Sequence, residues 1–126
     1  MGNFNKTMMG VDLGTQSIKV IIYCPKTRTV LSTTSHPFDL ISADDGTMEQ
    51  EAHWWIDGLI KCLNEVGTEL KKSVVAIGIS GQQHGFVPLD KNGNVLAPVK
   101  LWCDTSTEAE CREIMDAAGG EENCLK

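Results

Sequence analysis

The stretch Thr7–Cys24, TMMGVDLGTQSIKVIIYC, sets two apolar runs on either side of a short polar turn. TMMGVDLG reads as a strand entering a glycine turn. SIKVIIYC, rich in β-branched residues, reads as a second strand that follows almost at once. So short a connection joins antiparallel neighbours, because a parallel pair needs a crossover of a dozen or more residues. Pro25 then opens the turn PKTR, and TVLSTTSHPF continues as a third strand that ends near Pro37. The N-terminal third of the chain is thus expected to be a three-stranded antiparallel meander.

Outward from the meander, ISADDGTMEQ is a loop by composition. From Glu51 to Leu70 the pattern is helical: Trp55, Leu59, Cys62, Leu63 and Val66 recur at spacings of three and four and make one apolar stripe. Lys71 and Lys72 suit the C-terminus of that helix. SVVAIGIS is a continuous apolar run, which predicts a strand buried on both faces. FVPLD and PVKLW flank KNGN, a hairpin-type turn. TSTEAECREIMDAAGG opens with capping residues, carries early glutamates and ends in Gly119-Gly120, so it predicts a second helix. The order β-β-β-α-β-(β-β)-α defines an α/β domain with a mixed sheet, an antiparallel meander followed by α/β units. EENCLK follows the last helix with no further strand, which would leave one sheet face partly uncovered. An incomplete domain is expected, and with it a homo-oligomer that covers the open face or edge.

The chain has 126 residues, enough for one ordinary domain. Its formal net charge is −6 and its pI about 4.9, so it lacks the basic footprint of a nucleic-acid or anionic-membrane binder. Acidity does not exclude a phosphate ligand, because glycine turns and helix N-termini bind phosphate through backbone N–H groups. No apolar run is long enough to span a bilayer. Five cysteines fall at irregular spacing with no CxxC pair, which argues against zinc and for the reduced thiols of a cytoplasmic protein.

Four stretches could carry chemistry. In GVDLGTQS, Asp12 ends the first strand. The turn Gly14-Thr15-Gln16-Ser17 can aim N–H groups and polar side chains at phosphate oxygens, while Asp12 holds Mg²⁺ through water. The same residues also suit a plain β-turn. In GISGQQHG, Gln82, Gln83 and His84 offer amide and imidazole groups at the C-terminal end of a strand, where ligands of open α/β sheets collect. They suit a polyhydroxylated ligand whose hydroxyls donate and accept; a capped strand end with a structural histidine is the alternative. In KLWCDTST, Trp102 can stack on a sugar's apolar face and Asp104 can bind its hydroxyls. Trp102 could equally be core, with Asp104 or Thr105 capping the next helix. In GTMEQEAHWW, Glu51 begins a helix, and Trp54 and Trp55 pack along it.

Taken in order, GVDLGTQSIKV, EQEAHWW, GISGQQHG and LWCDTSTEAEC resemble the N-terminal portion of carbohydrate kinases of the FGGY family. The GQxHG motif points to its xylulokinase-like branch. That resemblance implies a ribonuclease H-like domain of the actin, hexokinase and sugar kinase type, present here in part. It implies that residues 1–126 form the N-terminal part of the first, sugar-binding domain, with the adenosine-binding domain absent. It implies ATP and Mg²⁺ as cofactors and a ketose as substrate: D-xylulose giving the 5-phosphate, with sedoheptulose, ribulose or another polyol as alternatives. A non-catalytic sugar-binding module is the rival from another class. By position, Asp12 matches the acid near Mg-ATP, Gly14, Thr15 and Gln16 the phosphate-facing turn, Gln83 and His84 the sugar-contacting dipeptide, and Asp104 an acid of the sugar pocket. Two departures stand out. Position 83 is Gln where many relatives carry Met, and Thr105-Ser106 follows the acid where many have an arginine two residues on. The base that takes the hydroxyl proton lies beyond the matched region, so the 126-residue chain alone is expected not to turn over.

Overall fold

The computed structural model describes residues 6–124. Strands β1 (Thr7–Leu13), β2 (Ser17–Cys24) and β3 (Thr29–Pro37) form the expected meander. Strand β6 (Val74–Gly81) adds to β1 in parallel, giving the order β3-β2-β1-β6. The register places Met9 opposite Ile22, Val11 opposite Val20 and Leu13 opposite Ile18, so one face of the sheet is continuously apolar. Helix α1 (Ala52–Glu65) lies against β2 and β3 on this face. Its stripe behaves as the spacing predicts: Cys62 and the C-cap residue Val66 are buried with Met9, Val11, Ile18, Val20 and Ile22. Gly58 lets the helix settle closely, since a Cβ there would lie 2.8 Å from Phe38 Cε1 and 3.1 Å from Ile18 Cγ2. The Thr34 hydroxyl donates to the Cys62 carbonyl at 3.2 Å and fastens β3 to the helix.

Three local expectations change. The helical stretch is two helices, because Val66 and Gly67 turn extended after α1 and α2 runs only over Thr68–Ser73. Lys71, in the last turn of α2, reaches back to donate to the Leu63 carbonyl at 3.0 Å, one of the orphan acceptors at the end of α1. The segment read as a loop contains two short strands, β4 (Ile41–Ser42) and β5 (Met48–Gln50), which pair with β7 (Val99–Lys100) in a second sheet of order β4-β5-β7. The KNGN hairpin closes on the side chain of Asp90 and on single bridges, Leu89 to Val95 and Phe86 to Lys100, rather than on paired strands.

The largest correction concerns β6. Expected to be buried on both faces, it is an edge strand among the described residues. Val75, Ile77 and Ile79 are exposed. Helix α1 stands over β2 and β3 and does not extend across β1 to it.

Helix α3 (Glu108–Ala117) forms where expected and ends at Gly119 and Gly120, both at positive φ. Its N-cap is Thr107, which makes no side-chain capping bond, and Asp104 and Thr105 do not serve as caps. Helix α4 spans Glu121–Cys124. No helix among the described residues is long and apolar enough to cross a membrane.

Candidate active site

The turn between β1 and β2 is closed by one bond, Gly14 N–H to the Ser17 carbonyl at 3.0 Å. The N–H groups of Thr15 and Gln16 have no acceptor among the described residues. The turn is nevertheless held from outside. Phe38 N–H donates to the Gln16 carbonyl at 2.9 Å. Gln50, 1% exposed, donates from Nε2 to the carbonyls of Thr15 (2.8 Å) and Asp39 (3.0 Å). Its Oε1 accepts from Trp55 Nε1 at 3.0 Å, so all of its side-chain hydrogen-bonding capacity is engaged apart from one lone pair. The outcome is a stiff turn with two donors left over, which is the arrangement an anion requires.

A cleft of about 840 Å³ opens in front of this turn. Asp12, Gly14, Thr15, Gln16, Ser17, Asp39 and Trp102 are among the residues that line it. Asp12 is exposed and sits opposite Lys19 on β2 and Ser80 on β6, on the face of the sheet away from α1. Trp102 is not core: it is 61% exposed, and its Nε1 donates to Thr15 Oγ1 at 3.1 Å, which holds the indole at the mouth of the cleft.

Asp104 takes a different place from the one its motif suggests. Its side chain is 3% exposed and does not line the cleft. Oδ2 accepts from Met48 N–H at 2.8 Å, and Oδ1 accepts from the Ser106 N–H (3.1 Å) and hydroxyl (2.7 Å). Lys100 Nζ lies 3.5 Å from Oδ2, while donating to Glu49 Oε1 at 2.9 Å and to Ser106 Oγ at 2.8 Å. The Met48 N–H, the Ser106 donors and the Lys100 charge together hold the Asp104 carboxyl down at about 2. The bond to Glu49 in turn raises Lys100 above the ordinary lysine value. Asp104 is therefore a clamp between the Leu101–Ser106 turn and β5, and it fixes Trp102 two residues away. Lys100 is the cation beside Asp104, and Ser106 bridges the two groups.

The loop after β6 is tied to the end of β1 by Gln82 N–H donating to the Leu13 carbonyl at 2.8 Å. Because β1 and β6 are parallel, both loops leave the same edge of the sheet. Gln83 and His84 are exposed beyond this anchor and do not line the cleft. His84 has φ 61°, a left-handed conformation uncommon for a non-glycine residue, and the chain reverses there. Gln82, by contrast, turns inward to Thr15. Of the residues singled out by the sequence, the cleft brings together Asp12, the 14–17 turn and Trp102, and Gln82 joins them through Thr15, whereas Gln50, Asp39 and Lys100 were not singled out as site residues. Only Gln50 carried a signal, as a polar residue between Met48 and the first apolar position of the helix.

The profile of the FGGY family of carbohydrate kinases, N-terminal domain, matches residues 7–125. A xylulose kinase of Haemophilus influenzae is 38% identical over 120 residues, covering 90% of this chain and 24% of that protein. Among solved structures, a kinase from Brucella ovis superimposes with a TM-score of 0.78 at 27% identity, over 90% of this chain and 24% of that one. The xylulose kinase of Rhodospirillum rubrum gives a TM-score of 0.70 at 27% identity, over 89% and 24%. The fold is therefore the ribonuclease H-like α/β fold of actin, hexokinase and the sugar kinases. Within that fold class, the chain belongs to the FGGY family of carbohydrate kinases. It spans about a quarter of the length of these relatives.

Proposed function

We propose that this chain is part of an ATP-dependent kinase that phosphorylates a ketopentose, D-xylulose giving D-xylulose 5-phosphate. The observation that carries the reading is the exposed Asp12 beside a stiff turn with two unclaimed N–H groups, in a cleft that Trp102 also lines. Phosphate oxygens of ATP accept from the N–H groups of Thr15 and Gln16. The donor set fits Mg²⁺ held through water. Mg²⁺ keeps most of its waters and takes one or two carboxylates plus substrate phosphates, and Asp12 offers one carboxylate with no three-ligand cluster among the described residues. When bound, the ion neutralises charge that develops on the transferred phosphoryl group. Trp102 presents its indole to the apolar face of the sugar, and Gln83 and His84, at the same sheet edge, bond its hydroxyls. Asp104 contributes by positioning Trp102.

In this reading residues 1–126 belong to the first, sugar-binding domain of a cytoplasmic enzyme. The adenosine-binding domain and the base that takes the hydroxyl proton lie in other residues, so the 126-residue chain binds without turning over. The test is ADP release by the complete gene product on a panel of D-xylulose, D-ribulose, sedoheptulose and glycerol. D-xylulose is expected to give the highest kcat/KM, by at least about tenfold, because a site built to pair hydroxyls rejects a mismatched one strongly. A higher value for another member would move the enzyme to a different substrate, and no sugar-dependent ADP release would end the kinase reading.

A further inference from the structure

Thr15 is the point where three distant segments meet. Trp102 Nε1, from the turn after β7, donates to Thr15 Oγ1 at 3.1 Å. Thr15 Oγ1 donates in turn to Gln82 Oε1 at 3.0 Å, in the loop after β6. Its carbonyl is held by Gln50 just before α1. The direction of this relay is fixed by chemistry. An indole N–H can only donate, so the Thr15 oxygen accepts from Trp102 and its single proton goes to Gln82. The Thr15 hydroxyl therefore has no proton left for a phosphate oxygen, and the turn meets an anion through its backbone N–H groups.

Gln82 also carries a cost. Its Nε2 is buried with no acceptor among the described residues. An orphaned buried donor destabilises a fold and is uncommon enough to call for a reason. Only the acceptor end of this amide is used, and its one side-chain partner is Thr15.

We propose that Gln82 is a positioning residue of the phosphate turn: by taking the Thr15 hydroxyl proton it fixes that side chain, aims the Thr15 and Gln16 N–H groups into the cleft, and couples the turn to Trp102 on the sugar side. The proposal rests on the kinase reading of the cleft. It separates Gln82 from Gln83 and His84, which lie outside the relay although they share its motif.

The experiment uses the complete gene product and three variants. Gln82→Met removes the acceptor at similar volume, Gln82→Glu keeps an acceptor for the Thr15 proton but puts a charged carboxylate where the orphaned donor stood, and Thr15→Val removes the hydroxyl from the other side of the bond. Gln82→Met and Thr15→Val are expected to raise the KM for ATP by roughly three- to tenfold, the worth of one such hydrogen bond. The KM for the ketose should stay within about twofold in both, and Gln82→Glu, whose charge faces the phosphates, is read by the indole signal alone. Independently of turnover, the Trp102 indole N–H resonance, assigned with Trp102→Phe, should move in Gln82→Met and Thr15→Val, and by less in Gln82→Glu, which keeps the relay. Equal rises in both KM values, or an unmoved indole signal in Gln82→Met and Thr15→Val, would overturn the proposal. A wild-type protein that phosphorylates no sugar would instead overturn the kinase reading, and the indole signal would still decide whether Gln82 holds the relay.

Discussion

Strands β2 and β6 are both eight residues long, SIKVIIYC and VVAIGISG, and both are rich in β-branched residues. Their environments are opposite. Ile18, Val20 and Ile22 are at most 2% exposed, whereas Ile77 and Ile79 are 61% and 78% exposed. The register places Ile77 beside Met9 and Ile79 beside Val11, on the same face as the core. The difference therefore lies in what covers the face. Helix α1 reaches β2 and β3 and stops short of β6. An apolar run states that a strand can be buried; the helix that does the burying is specified elsewhere in the chain. The same contrast extends to the segments that follow each strand edge. The turn before β2 is held by Gln50, Phe38, Trp102 and Gln82, while Gln83 and His84 after β6 are exposed.

The contrast is sharpest in stability. In the 126-residue chain, Ile22→Ala should cost about 4 kcal/mol, the transfer and cavity terms of a fully buried residue. Ile79→Ala should change stability by less than about 0.5 kcal/mol, as an exposed substitution. Urea denaturation of the two variants checks this, and equal losses would mean that β6 is covered in solution.

At the turn, Asp12→Asn should lower kcat of the complete gene product about a hundredfold, the usual effect of losing one charge-stabilising group. Its thermal midpoint should be unchanged, because Asp12 is exposed. A fall in both together would show Asp12 to be structural.

Asp104 tests the clamp on Trp102. Asp104→Asn should cost about 2 kcal/mol at neutral pH, since hydrogen bonds to a charged group are lost. Its carboxyl is held at about 2 in the fold, below the 3.8 of a free aspartate. A carboxylate with a lowered folded pKa stabilises fully above its unfolded value and loses that contribution as pH falls through the folded one. The stability of the parent chain should therefore drop between about pH 4 and pH 2, and the variant should show a shallower drop over that window. Parallel curves would remove Asp104 from the clamp.

How far the sequence was legible follows from the range of each interaction. The meander was readable because period-two apolar patterning and short polar turns are local signals, as were the apolar stripe of α1 and the Gly119-Gly120 stop of α3. Strands β4 and β5 were not, because ISADDGTMEQ has no sustained apolar alternation. Met48–Gln50 becomes a strand by pairing with Val99–Lys100, and the Asp104 carboxylate fixes that register through Met48 N–H. Gly46, at φ 91°, shapes the same loop where a Cβ would collide with Thr105. At the site, Asp12, the turn and Trp102 could be named from motifs. The buried roles of Gln50 and Gln82 depend on side chains 35 to 67 residues apart and leave no periodic trace, and the Lys100–Asp104 pair, though only four residues apart, lies in a turn rather than on a helix face.

The central claim is that the turn before β2 is a phosphate cradle built from backbone N–H groups. Titration of the complete gene product with Mg-ADP, labelled with ¹⁵N at threonine and glutamine, tests it directly. The amide signals of Thr15 and Gln16 should shift strongly downfield and saturate, as N–H groups that gain a charged acceptor do. Signals that stay in place while ADP binds elsewhere would contradict the account.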